Sequence, residues 1–373
     1  MKNKTEQTIT IGGKKVGTGQ PVFIIAEAGV NHNGDKALAK KLIDAAVTAG
    51  ADAVKFQTFD PETLVTKEAK KADYQDRNEH IKGGGESQYE MLKRLQLPRE
   101  VHVELKAYAE QKGIIFLSTP FSLSDAKFLK ELGVVAFKVG SSDTNNLPFL
   151  KTIATWGLPI ILSTGMSDME QVRDAVRVIQ NPSSDKNRSA PFTKGRIGRA
   201  PLIVLHCTTS YPAPLAEVNL RAMRTLSKEL EVLVGFSDHT EGTLAPVLSV
   251  ALGACVIEKH LTLDKEMAGP DQRASLNPQE FAEMVRAVRD AERALGTGEK
   301  GLFDSEREIA KVARKSLVTA RAVKKGEIFT AENLTTKRPG TGLSPALYDR
   351  VIGTKALRNI PADTLITKND YAS

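Results

Sequence analysis

The sequence predicts a (β/α)8 TIM barrel followed by a small C-terminal module, and three observations predict it. Short apolar runs alternate with amphipathic, helix-periodic stretches eight times between residues 22 and 295, a count that suits a closed parallel barrel better than an open doubly wound sheet. Polar residues collect at the C-terminal ends of those runs, the face on which such barrels build their sites. Beyond Leu295 the alternation stops, and a linker rich in Gly and charge leads to a segment of different pattern. A seven-strand open sheet is the alternative, because the last run, CVIEKH, is short.

The elements follow in order. Residues 1–20 are polar around ITIGGKKVG and read as a short flap with a hairpin. Strand 22–26 leads into the turn Asn31-His32-Asn33-Gly34; Asp35 caps a helix that runs to Ala49, and Gly50 ends it. The later pairs are strand 53–57 with helix 99–111, 114–118 with 124–132, 135–139 with 147–155 and 159–163 with 169–179. Then come 202–206 with 218–230, 232–236 with 244–252, and 255–258 with the long helix 278–295.

Two insertions interrupt this order. Residues 60–97 contain the glycine run 83–85 and the helical SQYEMLKRL; following the second strand, they fall on the C-terminal face and read as a substrate-site lid. The basic stretch 181–200 precedes the sixth strand, on the opposite face, and reads as a solvated loop. The expected boundaries are a flap at 1–20, a barrel at 21–297, a linker at 298–313 and a module at 314–373. Within the module, ARAVKKGEIFTAENL and ALRNIPADTLITKND form an internal pseudo-repeat with little core of its own.

Composition narrows the class. Lys plus Arg at 52 against Asp plus Glu at 45 gives a net charge of +7 over 373 residues. No dense basic tract with interleaved aromatics accompanies it, so a nucleic-acid partner is not expected. A secretory leader and a membrane-length apolar run are both missing from the sequence, which predicts a cytoplasmic protein without a membrane partner. Cys207 and Cys255 sit in apolar runs and read as buried free thiols.

The strand ends carry the chemistry: Glu27; Lys55 and Gln57; Ser118 and Thr119; Lys138 and Ser141; Ser163 and Thr164; His206, Thr208 and Thr209; Ser237 to His239; Glu258 and His260. Two lysines in apolar contexts beside hydroxyls suit a phosphate and carboxylate pocket, structural ion pairs being the plainer alternative. His239 and His260 are either satisfied structural histidines or ligands of a divalent metal completed by Glu27 or Glu258 and water. Asp271 follows the last strand on a loop able to fold over the pocket, and Asn31 and His32 either cap the first helix or meet a ligand.

Several strings resemble the sialic acid synthase family: IIAEAGVNHNG at 24–34, AVKFQTF at 53–59, FLSTPF at 116–121, FKVGSSDTNNLP at 137–148, ILSTGM at 161–166, LHCTTSYPAP at 205–214, GFSDHT at 235–240 and EKHLTLDKEMAGPDQRASL at 258–276. The resemblance spans residues 20–373, and the C-terminal module is similar to the antifreeze-like SAF domain. It implies condensation of phosphoenolpyruvate with the aldehyde of an N-acylated hexosamine, with release of phosphate. It puts Glu27, Lys55, Lys138 and Asp143 among the catalytic residues, Glu27 as acid/base. Lys55, Thr119, Lys138, Ser141, Ser163 and Ser237 match positions that hold phosphoenolpyruvate, while Gln57, Asp143, Tyr211 and Asp271 fall where the sugar is held or the pocket is ordered, and Asn31 and Thr209 are further candidates for substrate contact. His239 and His260 match ligands of a divalent metal, usually Mn2+, with Mg2+ or Co2+ as alternatives. Arg338 matches the SAF arginine that reaches a neighbouring subunit's barrel, which implies a domain-swapped homodimer.

Asp143 stands where some members have Glu, and Thr209 where some have Asn. The expected substrate is N-acetylmannosamine, with 2,4-diacetamido-2,4,6-trideoxymannose, leading to N,N'-diacetyllegionaminate, as the alternative. A lysine Schiff-base aldolase, a non-catalytic sugar or phosphate sensor and a nucleic-acid binder are the competing classes.

Overall fold

In the computed structural model, which describes residues 7–78, 86–182 and 200–372, the chain opens with an antiparallel hairpin, β1 (Thr8–Ile11) and β2 (Lys14–Gly17). Eight strands follow: β3 (Phe23–Gly29), β4 (Ala53–Thr58), β5 (Ile115–Pro120), β6 (Phe137–Val139), β7 (Ile160–Ser163), β8 (Leu202–Cys207), β9 (Leu233–Asp238) and β10 (Val256–His260). They form one sheet in the order β5-β4-β3-β10-β9-β8-β7-β6, and each neighbouring pair in that order is parallel. β5 and β6, the ends of that order, lie side by side and close the ring. With a helix after every strand, this is the (β/α)8 barrel that the alternation predicts.

Near-complete burial of the strands follows from having helices outside and side chains inside. One apolar layer lies between sheet and helices and includes Ile24, Val54, Phe116, Leu162, Val204 and Ile257. The second fills the lumen with Phe23, Ile25, Ala53, Leu117, Ile161 and Ile203. Side chains alternate along a strand, so the lumen residues two positions beyond Ile25, Ala53, Leu117 and Ile161 are Glu27, Lys55, Thr119 and Ser163. The lumen therefore changes from apolar to polar toward the C-terminal ends.

Three elements depart from expectation. The N-terminal hairpin is more than a flap: Ile11 and Val16 are fully buried and join the lumen cluster, closing the barrel at the end away from the polar layer. The helix expected from residue 218 begins at Ala222, after a 3-10 turn at Leu215–Glu217 and Asn219 at φ 44°. Within the expected linker, Asp304–Ala313 is helical. In the lid insertion, the segments Pro61–Leu64, Asp73–Asn78 and Gln88–Leu95 are helical, and Met91 and Leu95 pack on Val30 and Phe59. The glycine run 83–85 and nearly all of the basic insertion lie outside the described residues. Among the described residues, no helix is long and apolar enough to cross a membrane.

The chain divides into two units, Met1–Gly296 and Thr297–Ser373. In the second, β11 (Ser316–Thr319) pairs antiparallel with β12 (Leu334–Lys337) over a core that includes Leu317, Val323, Phe329, Leu334, Ile360 and Ile366. The pseudo-repeat is visible in its hydrogen bonds. Thr330 N donates to Asn333 Oδ1 at 2.8 Å, and Thr367 N donates to Asp370 Oδ2 at 2.7 Å. Val323 and Ile360 exchange backbone bonds across the repeat.

Asp370 also accepts from Thr367 Oγ1 at 2.7 Å and Arg358 Nε at 2.5 Å, and it is fully buried. Burial opposes its charge, but Arg358 and Thr367 outweigh that and hold the carboxyl below its ordinary value. Its stabilisation is therefore complete above the unfolded pKa and lost as pH falls through the lowered folded one. Asp370→Ala is expected to cost about 1–3 kcal/mol, seen as a lower melting temperature at pH 7; an unchanged melting temperature would contradict this.

Candidate active site

The polar mouth has two halves. In the first, two lysines and two carboxylates interlock, each at most 5% exposed. Lys55 Nζ lies 2.7 Å from Glu27 Oε2 and 3.8 Å from Glu258 Oε2, and donates to Thr119 Oγ1 at 2.8 Å. Lys138 Nζ lies 3.4 Å from Glu258 Oε1 and donates to Ser163 Oγ at 2.8 Å and Val139 O at 3.2 Å. Ser237 Oγ donates to Glu258 Oε1 at 3.1 Å. Because Thr119 and Ser163 accept from ammonium groups, their own O–H groups remain to donate.

Two positive and two negative charges balance here, and burial decides where the proton sits. Burial raises the Glu27 carboxyl, Lys55 lowers it and Glu258 raises it again, leaving a pKa of about 7. Burial also disfavours the Glu258 carboxylate, but Lys138 and Lys55 hold it below its ordinary value. Lys55 is raised despite burial by Glu258 and Glu27, whereas burial wins at Lys138 and lowers it. Glu27 is thus the carboxyl able to take and give a proton near neutrality. Gln57 Nε2 holds its other oxygen at 3.3 Å. At Gly29, φ is +51° and a Cβ would stand 3.2 Å from Glu27 Oε1, so glycine gives the carboxylate its room.

The second half is aromatic. His239 and His260 have ring centroids 5.5 Å apart. His239 Nδ1 donates to the Thr208 carbonyl at 2.7 Å, which turns Nε2 toward the mouth, 3.0 Å from Tyr211 Oη. Burial lowers His239, but negative charge on the Cys207 sulfur 3.7 Å away and the Thr208 carbonyl push its pKa up to about 9, so a cation binding at Nε2 would displace a proton. His260 is held well below its ordinary value by burial and by His239. Its Nδ1 is buried with no hydrogen-bond partner, 3.9 Å from the Asp271 carboxylate. One committed Nδ1 and one orphaned nitrogen fit a cation held by two imidazoles. Among the described residues, no group of three or more His, Cys, Asp or Glu side chains could hold a metal alone, so the remaining donors would be water or substrate.

The other candidates divide. Ser141 Oγ accepts from Gly165 N at 3.0 Å, and a Cβ on Gly165 would meet Thr209 Oγ1 at 2.0 Å. Thr209 Oγ1 is itself buried without a partner. Asp143 accepts from Asn146 Nδ2 at 2.9 Å within its own turn, and burial raises its carboxyl; it forms no hydrogen bond or ion pair with Lys55 or Lys138. Asn31 braces the loop after β10, donating to Leu261 O at 2.9 Å and Ser275 Oγ at 2.8 Å. His32 Nδ1 accepts from Gly34 N at 3.0 Å, a turn-forming bond. Arg338 belongs to the second unit.

Sequence reasoning underrated two residues. Glu258 was expected only as a metal partner, but it is the carboxylate between both lysines; its spacing of two from His260 was the available signal. Tyr74, from the lid insertion, stacks on Tyr211 at 5.0 Å, and nothing in its charged sequence context marks it.

Comparison with known proteins places this architecture. The model of the NeuB family matches residues 42–300, and that of the SAF domain matches 314–372. The N,N'-diacetyllegionaminic acid synthase of Campylobacter jejuni is 46% identical over 344 residues, 92% of this chain and 98% of its own. That of Legionella pneumophila is 44% identical over 355 residues, 95% of this chain and 96% of its own. The crystal structure of N-acetylneuraminic acid (sialic acid) synthetase from Leptospira borgpetersenii serovar Hardjo-bovis, in complex with citrate, has a TM-score of 0.68 at 35% identity, covering 82% of this chain and 95% of its own. These matches define a (β/α)8-barrel synthase with a C-terminal SAF domain. The chain belongs to the NeuB family, that of the sialic, legionaminic and pseudaminic acid synthases.

Proposed function

We propose that this enzyme condenses phosphoenolpyruvate with an N-acylated amino-sugar aldehyde and water, giving a nonulosonic acid and phosphate. The observation that carries this reading is the convergence of Lys55 and Lys138 on Glu258, beside Glu27 and facing His239 and His260. The lysines, with the O–H groups of Thr119 and Ser163, would bind the carboxylate and phosphate of phosphoenolpyruvate, competing for the charges that Glu258 now neutralises. The C3 of phosphoenolpyruvate then attacks the aldehyde carbon, and the aldehyde oxygen becomes an alkoxide that takes up the proton Glu27 accepts from water in the next step. Water adds to C2 and loses a proton to Glu27; the C2–O bond to phosphate breaks, leaving a 2-keto acid in equilibrium with its ring form. A divalent cation at His239 and His260, Mn2+ being our first choice, would supply Lewis-acid polarisation of the aldehyde.

For the sugar we place 2,4-diacetamido-2,4,6-trideoxymannose ahead of the expected N-acetylmannosamine. Supporting it are the legionaminic acid synthases at 46% and 44% identity, against 35% for the Leptospira neuraminic acid synthetase. We further propose a homodimer in which Arg338 of a second copy completes the N-acyl pocket. Phosphate release with phosphoenolpyruvate and each sugar, with and without Mn2+, tests the reading. The higher kcat/KM is expected with the diacetamido sugar, and chelation should remove most turnover. Preference for N-acetylmannosamine would restore the neuraminate assignment, and release with neither sugar would reject the function.

A further inference from the structure

The strands that present His239 and His260 are also joined on their other face, by an ion pair outside the lumen. β9 and β10 run in register with Lys259 opposite Asp238. Side-chain alternation sends Ser237, His239, Glu258 and His260 inward and turns Asp238 and Lys259 outward. Their register neighbours on that outer face, Phe236 and Ile257, belong to the apolar layer under the helices. Even so, Lys259 and Thr240 are fully buried and Asp238 is 1% exposed.

The bonds in this cluster are closely specified. Lys259 Nζ lies 2.5 Å from Asp238 Oδ2 and also donates to the Thr240 carbonyl. Asp238 Oδ1 accepts from Thr240 N at 2.9 Å, and Oδ2 accepts from Thr240 Oγ1 at 3.1 Å. Each of these bonds begins and ends on a residue adjoining a histidine. His239 is the middle residue of a turn closed by Asp238 and Thr240. The ammonium that ties the turn belongs to the residue immediately before His260.

A buried ion pair contributes little to stability, since desolvation offsets its attraction and an apolar pair of similar volume often serves as well. What it supplies that apolar contact does not is direction. We propose that Asp238 and Lys259 are positioning residues, which set the separation and orientation of the two imidazoles, now 5.5 Å and 61° apart, for a divalent cation. This rests on the metal-site reading above and extends it to a pair on the opposite face of the strands. Residues that orient metal ligands characteristically change affinity by about 10- to 100-fold when removed.

The test is titration of the full-length apoprotein with Mn2+ alone, followed by electron paramagnetic resonance of free and bound ion. The double variant Asp238→Asn/Lys259→Met is neutral and similar in volume, and its amide can still accept from Thr240. It is expected to weaken Mn2+ binding about 10- to 100-fold and alter the bound-ion line shape. Near-ultraviolet circular dichroism checks that it is folded; if it is not, Asp238→Asn alone, which leaves the turn in place, is expected to shift both readouts in the same direction. Folded variants with unaltered Mn2+ affinity and line shape would overturn the proposal, whatever their melting temperature, because a mere brace affects only stability. If the unaltered protein does not bind Mn2+, or if His239→Ala leaves binding intact, the metal-site reading itself fails and takes this proposal with it.

Discussion

Glu27→Gln is expected to lower kcat by about 10²- to 10⁴-fold, the range for loss of a positioned general acid or base. Gln occupies nearly the same volume and its single side-chain oxygen can still accept from Lys55, so the fold is kept while the titrating proton and the negative charge beside Lys55 are removed. Phosphoenolpyruvate KM should move far less than kcat. The pH dependence has a definite sign. The Glu27 pKa is about 7, raised first by burial and only partly restored by Lys55. Below that value the carboxyl is protonated and cannot accept a proton from water, so kcat/KM of the unaltered enzyme should fall on the acid side with a midpoint near 7. The residual activity of Glu27→Gln should lack that limb. Near-normal turnover in this variant would remove Glu27 from the acid/base role.

Lys138→Met should act on substrate binding and stability together. Losing a hydrogen bond to a charged group is worth about 1.5–3 kcal/mol, so kcat/KM for phosphoenolpyruvate should drop about 10- to 150-fold, mainly through KM. The same change leaves Glu258 with Lys55 at 3.8 Å as its nearest remaining ammonium, and breaking a buried pair from one side costs about 3–5 kcal/mol. A lower melting temperature should therefore accompany the kinetic loss, and saturating phosphoenolpyruvate should recover part of both. An unchanged KM would mean that Lys138 serves Glu258 alone and does not meet substrate.

These two residues show how far the site was legible. Lys55, Lys138, Glu27 and the two histidines were marked because strand ends in a barrel converge, and polar groups at apolar strand ends stand out in the sequence. Glu258 was harder to weigh: its importance comes from standing between lysines of β4 and β6, neither adjacent to β10 in the sheet. Tyr74 could not be found at all, since its contact with Tyr211 joins residues 137 positions apart through an insertion without regular pattern. The hairpin looked like a flap because its two buried apolar side chains, Ile11 and Val16, are too few to announce a core contact.

The sequence by itself determined the alternation of eight strands with helices, the C-terminal pseudo-repeat and the polar character of one end of the lumen. Those are consequences of local periodicity, 3.6 for helices and 2 for strands. Only the tertiary structure decided which charge meets which, that His239 turns Nε2 toward the mouth, and that an ion pair on the far side of β9 and β10 ties together the residues beside both histidines. The reason is physical: closing the barrel sets His260 beside Glu27 and Lys259 beside Asp238. Electrostatic interactions fall off over a few ångströms, so their strength depends on distances that chain order alone does not specify.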